Sequence, residues 1–361
     1  MQNNQAIPFN KENFKQILSK QFAWVIVVSV PGALIAEYFN VPLAWFLGPM
    51  LVTSVVTLGG VKTKMPKLVL STILIFLGLY IGNYIDKSLF SQIHQWIWTS
   101  SIMLGYIIVS VLLVSKYLQK FSGYKEKTSI FSAAPGALGP LMILAEYEKS
   151  DLSQVATAHL IRLIIIITLF PFIIVSLYPA EALELEKFDY MSQNHWELII
   201  LIIVSLVFIF FFDKFKVPAA LLSGTLVASG VLQISDIASY KLPDASINFC
   251  LLILGASVGC RFANKTFKEV ANNSFHGLVA TILLVLLGLI AAYVATFFVD
   301  NNILSLILSF CPGGIYEVAV IAIAFDLEPD FVAFHHIIRL LFILFVVPVI
   351  LRIIEKTRLK N

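Results

Sequence analysis

A single offset, repeated along the chain, constrains this protein more than any other feature. Cys311-Pro312-Gly313-Gly314-Ile315-Tyr316-Glu317 is followed by His335-His336-Ile337-Ile338-Arg339. Ala134-Pro135-Gly136-Ala137-Leu138-Gly139-Pro140 is followed by His159-Leu160-Ile161-Arg162. Pro135 and Pro312, Gly136 and Gly313, His159 and His336, and Arg162 and Arg339 are each 177 residues apart. Pro171 and Pro348, Gly78 and Gly255, and Gly82 and Gly259 keep the same separation. With a slip of one residue, Val41-Pro42 pairs with Val217-Pro218 and Gly48 with Gly224. Such regularity identifies an internal duplication. Each half must therefore place a helix breaker in apolar sequence, then a His and an Arg three residues apart inside an apolar run.

Those runs define the class. They fall near 22–39, 42–59, 68–84, 94–115, 128–147 and 153–178, and again near 196–212, 215–233, 246–263, 274–299, 302–324 and 331–353. Most approach the ~20 residues that cross a ~30 Å hydrocarbon core. Of 361 residues 59% are hydrophobic and 13% charged, against about a quarter charged in soluble domains. A water-soluble globule is excluded, and an all-α, multi-pass integral membrane protein is expected. No polar segment is long enough for a separate catalytic or DNA-binding domain. The net charge of +3 is small and its basic residues are scattered, which excludes nucleic acid as a partner. Cys250, Cys260 and Cys311 lack C-x-x-C spacing and read as small buried hydrophobes. Lys11, Lys15 and Lys20 before the first run mimic a signal peptide. Val41-Pro42 follows that run directly and belongs to the repeat, so the run is expected to remain as the first span.

The positive-inside rule sets the expected topology. With a cytoplasmic N-terminus, Lys62, Lys64 and Lys67 fall inside, as do Lys116, Lys120, Lys125 and Lys127. The link holding Glu181, Glu184, Glu186 and Asp189 falls outside only if the fifth and sixth runs together cross once. Lys214, Lys216, Arg261, Lys265 and Lys268 and the basic C-terminus then fall inside. This parity predicts two inverted repeats of about five spans, each with a re-entrant or broken Pro-Gly helix. The expected layout is a cytoplasmic tail at 1–20, repeat 1 at 21–179, an extracytoplasmic link at 180–195, repeat 2 at 196–353 and a cytoplasmic tail at 354–361. A proline without a donor and flexible glycines break the fifth helix and its counterpart. Irregular backbone at that depth survives only inside protein or beside a wet cavity.

Candidate site residues follow from where polarity is costly. The helix starts after Pro135-Gly136 and Pro312-Gly313-Gly314 would present free N–H groups and the positive end of a dipole to an anion; simple packing kinks are the plainer alternative. Arg162 and Arg339 are the only arginines within apolar runs, suited to binding an anion or a counter-charge, or to snorkelling. His159 and His336 share their helix face, with a proton-coupling, substrate-contacting or packing role. Glu317 is the most exceptional carboxylate, able to take a proton, coordinate Na⁺ or pair with either arginine. Its repeat counterpart is Pro140. Glu37 and Glu146 read as interfacial, and the aromatic residues as lipid-facing bulk and interfacial belt. His335-His336 point about 100° apart on a helix and make no standard ligand pair. No metal or cofactor motif is present.

At these residues the chain resembles the AbrB-type membrane proteins, duplicated bacterial proteins with a P-G-G-x-x-E motif followed by a Leu/Ile-rich run with an Arg. Pro312-Gly313-Gly314-Ile315-Tyr316-Glu317 with Arg339 matches that pattern. The first half departs from it, with Ala137 for the second glycine and Pro140 for the glutamate. The resemblance covers nearly the full length and implies an inner-membrane protein distantly like cation/proton-antiporter and anion-transporter folds. The family is often labelled an ammonia monooxygenase or a transcriptional regulator. The expected function is a secondary transporter that moves a small organic anion with H⁺ or Na⁺, with both termini cytoplasmic and a homodimer as one option. A membrane-bound oxidoreductase and a membrane regulator acting through partners are the alternatives.

Overall fold

The computed structural model describes residues 11–83, 85, 89–136, 138–177, 195–238, 244–263 and 265–358. The first ten residues of the N-terminal tail, the acidic link as far as residue 194 and the last three residues lie outside this set. Among the described residues all regular structure is helical.

The first half contains α1 (Lys11–Ile17), α2 (Lys20–Tyr38), α3 (Ala44–Leu58), α4 (Lys67–Gly82), α5 (Leu89–Ser122), α6 (Glu126–Ala133), α7 (Leu138–Tyr147) and α8 (Leu152–Leu177). The second contains α9 (His195–Lys214), α10 (Ala220–Ile234), α11 (Asp244–Cys260), α12 (Phe267–Ala295), α13 (Ile303–Phe310), α14 (Ile315–Ala324) and α15 (Pro329–Arg358). The helices α6, α7 and α8 start 177 residues before α13, α14 and α15 respectively. The duplication therefore reaches the level of single helix starts.

Local chemistry explains several of these boundaries. Ser19 caps α2 by accepting from the Phe22 N–H at 3.2 Å, and Asn302 caps α13 by accepting from the Leu304 N–H at 2.9 Å. Such side-chain acceptors satisfy donors that the first turn leaves open. Val41-Pro42 and Val217-Pro218 separate their neighbouring helices, and the residues that follow, Leu43 and Ala219, both turn the chain through φ 53°.

Two compact units emerge. The first comprises Met1–Leu89, Pro171–Phe267 and Ile323–Asp330. Within it α2 packs on α3 and α9 on α10, while α3 also packs on α11 and α10 on α4. The repeats thus exchange partners, and their shared glycines are the reason they can. A Cβ on Gly78 would lie 1.8 Å from Thr225 Oγ1, and one on Gly82 2.4 Å from Ser229 Cβ. Their counterparts Gly255 and Gly259 would meet the Phe46 carbonyl oxygen at 2.2 Å and Thr53 Cβ at 2.6 Å. Small residues permit this close approach, which is how apolar helices associate in lipid. The Ser229 hydroxyl then donates across the seam to the Leu79 carbonyl at 3.1 Å.

The second unit comprises Phe90–Phe170, Lys268–Ala322 and Phe331–Asn361. Val114, Leu118, Tyr124, Ala133, Ala280 and Leu284 form one of its cores, joining α5, α6 and α12. Tyr106 on α5 donates to the Leu284 carbonyl at 3.3 Å. Thr99 on α5 lies 2.6 Å from Nε2 of the buried His335 on α15, and Trp96 packs on Phe331 and Phe334 beside them.

Among the described residues six helical segments are long and apolar enough to cross a membrane: Lys20–Tyr38, Trp96–Ser122, Leu152–Leu177, Trp196–Lys214, Phe275–Ala295 and Pro329–Ile354. Their surfaces leave large apolar residues uncovered, such as Ile199, Ile203 and Phe210 on α9, as lipid contact requires. The helices α3, α4, α10 and α11 have 15, 16, 15 and 17 residues. At ~1.5 Å per residue they extend ~22–26 Å, less than a ~30 Å core.

The glycine seam makes a stability prediction. Gly255→Ala drives a methyl group into the Phe46 carbonyl and should cost about 1–3 kcal/mol by overpacking. Gly105 has nothing within 4 Å of such a Cβ, so Gly105→Ala should be neutral or stabilise α5 by up to about 1 kcal/mol. Thermal melts of the two variants in detergent check the contrast.

Candidate functional site

The candidate site grows from a missing hydrogen. In an unbroken helix the Phe131 carbonyl would accept from the amide of residue 135, and Leu308 from that of residue 312. Both positions are proline, which has no N–H. The helices α6 and α13 stop there, and the chain makes a three-residue turn in each half. Gly136 N–H donates to the Ala134 carbonyl at 3.0 Å, and Gly313 N–H to the Cys311 carbonyl at 2.8 Å. These turns are centred on Pro135 and Pro312, whose fixed φ suits a γ-type turn. Gly136 adopts φ +114°, a conformation that a side chain would strain. The helices α7 and α14 then restart. The expected interruptions are present at both positions.

A histidine from 28 residues downstream supplies the lost donor. His159 on α8 contacts the Phe131 carbonyl through Nε2 at 2.9 Å. His336 on α15 contacts the Leu308 carbonyl in the same way at 3.0 Å. A carbonyl only accepts, so each Nε2 carries the proton. The opposite nitrogen, Nδ1, then holds a lone pair that accepts from an arginine: Arg162 Nη2 at 2.5 Å and Arg339 Nη2 at 3.0 Å. This bonding assigns both histidines as neutral Nε2–H tautomers. The three-residue spacing puts His and Arg on one helix face, as expected, and the proline explains why the histidine is needed.

The two arginines are almost wholly buried, Arg162 at 3% and Arg339 at 0% exposure. Arg339 donates to the Gly313 carbonyl at 2.5 Å and to the Cys311 carbonyl, grasping the break of its own half. Its guanidinium also covers the break of the other half: a Cβ on Gly136 would lie 3.1 Å from Nη2 and 3.3 Å from Nε. In return Gly313 faces Ile166 on α8, 3.4 Å from its would-be Cβ. The two breaks therefore meet within this unit, and Arg162, Arg339 and Tyr106 lie within electrostatic reach of one another. Among the described residues neither guanidinium has a carboxylate within ion-pair distance. The ion pair found there is Lys127 with Glu148, at 2.5 Å.

Glu317 is buried, at 2% exposure. Its carboxylate folds back over the start of α14, so near Gly314 that a Cβ there would lie 1.9 Å from Oε2. A third-position glutamate reaching back over a helix start follows capping-box geometry, and negative charge is favoured at that end of the dipole. Gly314 is bare because the carboxylate occupies the space of its side chain. The other predicted residues fall where the sequence put them: Pro135, Gly136, Pro312, Gly313 and Gly314 form the breaks. Tyr106 was missed, since one buried tyrosine among 12 carries no distinguishing sequence signal. The Thr99–His335 contact was missed as well, because it joins residues 236 apart. Among the described residues no group of three His, Cys, Asp or Glu is placed to hold a metal ion.

This geometry predicts coupling between two positions. Gly314→Ala should expel the carboxylate and mimic Glu317→Ala, each costing on the order of 1 kcal/mol as a lost cap. The double variant should cost less than the sum in a thermal-melt cycle; strict additivity would contradict the contact.

The family model described as "Transition state regulatory protein AbrB" matches residues 2–87 and 60–355. The chain is 20% identical over 360 residues to "Uncharacterized protein YhjN" of Bacillus subtilis (strain 168), covering 92% of each. It is 22% identical over 324 residues to "Putative regulator AbrB" of Escherichia coli (strain K12), covering 88% of this chain and 91% of that protein. A duplicated, membrane-like helical chain with matching helix breaks, it belongs to the AbrB family.

Proposed function

We propose that this protein is a secondary transporter of the bacterial inner membrane, carrying a small organic anion together with H⁺ or Na⁺. The observation that supports this reading most is the pair of buried guanidiniums without a carboxylate partner among the described residues. An uncompensated buried charge costs several kcal/mol, and a membrane-embedded arginine is tolerated chiefly beside a counter-charge or a cavity. A permanent carboxylate partner would neutralise the site. A solute that brings its own negative charge would do so only while bound, which is what a carrier needs. The restarted helices add the positive ends of their dipoles, as in transporters built on discontinuous helices.

In this reading the halves are inverted, as the charge pattern favours. Ten crossings come from the six long helices and from α3, α4, α10 and α11, with the bilayer thinned around the shorter four. Pro135, Gly136, Pro312, Gly313 and Gly314 shape the breaks, and Arg162 and Arg339 face the anion. His159 and His336, engaged through both ring nitrogens, hold the arginines in position. The coupling ion falls to Glu317, the buried carboxylate at the start of α14. A regulatory name attached to a relative is a property of that protein and adds no residue to this site.

Uptake by reconstituted proteoliposomes tests the proposal. A panel of small organic anions should include one whose accumulation depends on an imposed pH or Na⁺ gradient. Arg162→Gln and Glu317→Gln should each lower that uptake at least about tenfold, equivalent to about 1.4 kcal/mol. Equal uptake by wild type and both variants, for every solute transported, would refute the assignment.

A further inference from the structure

The two breaks differ chemically, and the difference says which one is vacant for a ligand. In the second half the start of α14 already has a carboxylate, that of Glu317, laid over Gly314. At the counterpart positions the first half has Pro140 for the glutamate and Ala137 for the glycine. Pro140 is exposed where Glu317 is buried. Among its own residues the start of α7, a helix of 10 residues, has no counterpart of the Glu317 carboxylate.

The arginines differ in a matching way. Arg339 uses Nη1 and Nη2 on Cys311, Gly313 and His336. Its Nε–H, fully buried, has no acceptor among the described residues and lies against Gly136, at the threshold of α7. Arg162 is anchored beside the same break through His159 and the Phe131 carbonyl. Its bond to His159 runs through Nη2. Arg339 Nη1 and Nη2 are thus committed at the second break, whereas its Nε–H faces the first break without an acceptor among the described residues.

We propose that this protein binds one carboxylate at the break of the first half, between Arg162 and the Nε–H of Arg339 at the start of α7. Its counterpart in the second half is the place taken by the carboxylate of Glu317. The inference rests on the anion-carrier reading and narrows it to one seat and one chemical class. Glu317 is the template for that class: a planar carboxylate on a repeat-related helix start. Guanidinium donors match the same planar shape. The seat requires Gly136 to stay bare, since a side chain there would displace the Arg339 guanidinium.

Melting temperatures of the purified full-length protein in detergent, with no gradient, test the seat separately from transport. Sodium acetate and sodium succinate are compared with sodium phosphate and sodium chloride at equal ionic strength. The carboxylates should raise the melting temperature in a saturable way, beyond phosphate and chloride. Arg162→Gln should lose this response, and Gly105→Ala should keep it. The decisive variant is the double substitution Ala137→Gly with Pro140→Glu, which builds the second half's motif into the first. It should melt higher than wild type in chloride and no longer respond to carboxylates, because its own glutamate fills the seat. If the graft does not fold, Arg162→Gln decides. A graft or Arg162→Gln variant that keeps the full carboxylate response overturns the proposal, and so does a response identical for all four salts. A carboxylate response without uptake sustains the seat and removes the carrier. Gradient-driven uptake without a carboxylate response does the reverse.

Discussion

A proline in a helix leaves a carbonyl without its partner, and in a hydrocarbon surrounding water cannot make good the loss. Much of the candidate site can be traced to that constraint at Pro135 and Pro312. Each carbonyl that loses its proline-blocked partner, Phe131 and Leu308, is met by a histidine on a long helix, Leu308 accepting from the Cys311 N–H as well. Each histidine, fixed as a donor on one side, must accept on the other, and the group beside it is an arginine. The arginine in turn needs acceptors. Arg339 finds them in the carbonyls that the second break exposes. One missing N–H thus draws in an ordered chain of carbonyl, imidazole and guanidinium. The same chain appears twice because the sequence contains its parts twice.

Duplication also explains how a symmetric fold can hold an asymmetric site. The repeats agree where packing dictates the residue: Gly78 and Gly255, and Gly82 and Gly259, sit in seams between helices that almost touch. They diverge where charge is placed. Glu317 and Gly314 have become Pro140 and Ala137 in the other half, while both arginines and both histidines are kept. Among the described residues two buried arginines are retained against the one buried glutamate, Glu317. Structural ion pairs tend toward balance, since a lone buried charge is strongly destabilising. Imbalance of this kind suits a site that neutralises itself by binding and recovers its charge on release.

Much of this architecture was legible in the sequence, because it is written in residue types with few structural options. Prolines and glycines inside apolar runs located both breaks to within a residue or two. The spacing of His and Arg placed them on one face. The offset of 177 identified the duplication, which the structure carries to the starts of α6, α7 and α8 against α13, α14 and α15. What sequence could not show were contacts between residues far apart in the chain. Nothing in the periodicity says that Arg339 reaches Gly136, or that Tyr106 lies near both arginines. Glu317 was the instructive case. Its charge left a proton, Na⁺ or an arginine as options, and three residues of spacing from Gly314 direct it back onto its own helix start. The bare Gly314 beside it was the available clue. The apolar runs located α3, α4, α10 and α11, but hydropathy does not register where a helix cap falls, so their lengths of 15 to 17 residues were not legible.

The account depends on the two halves facing opposite ways in the bilayer, so that equivalent loops emerge on opposite sides. Lys64, between α3 and α4, and Lys241, between α10 and α11, are equivalent positions 177 residues apart. In a background with Cys250, Cys260 and Cys311 replaced, Lys64→Cys and Lys241→Cys can be probed with a membrane-impermeant maleimide on intact cells. Labelling at 241 with protection at 64 until the membrane is opened is the predicted result. Labelling of both positions from the same side would show the halves to be parallel and would contradict the account.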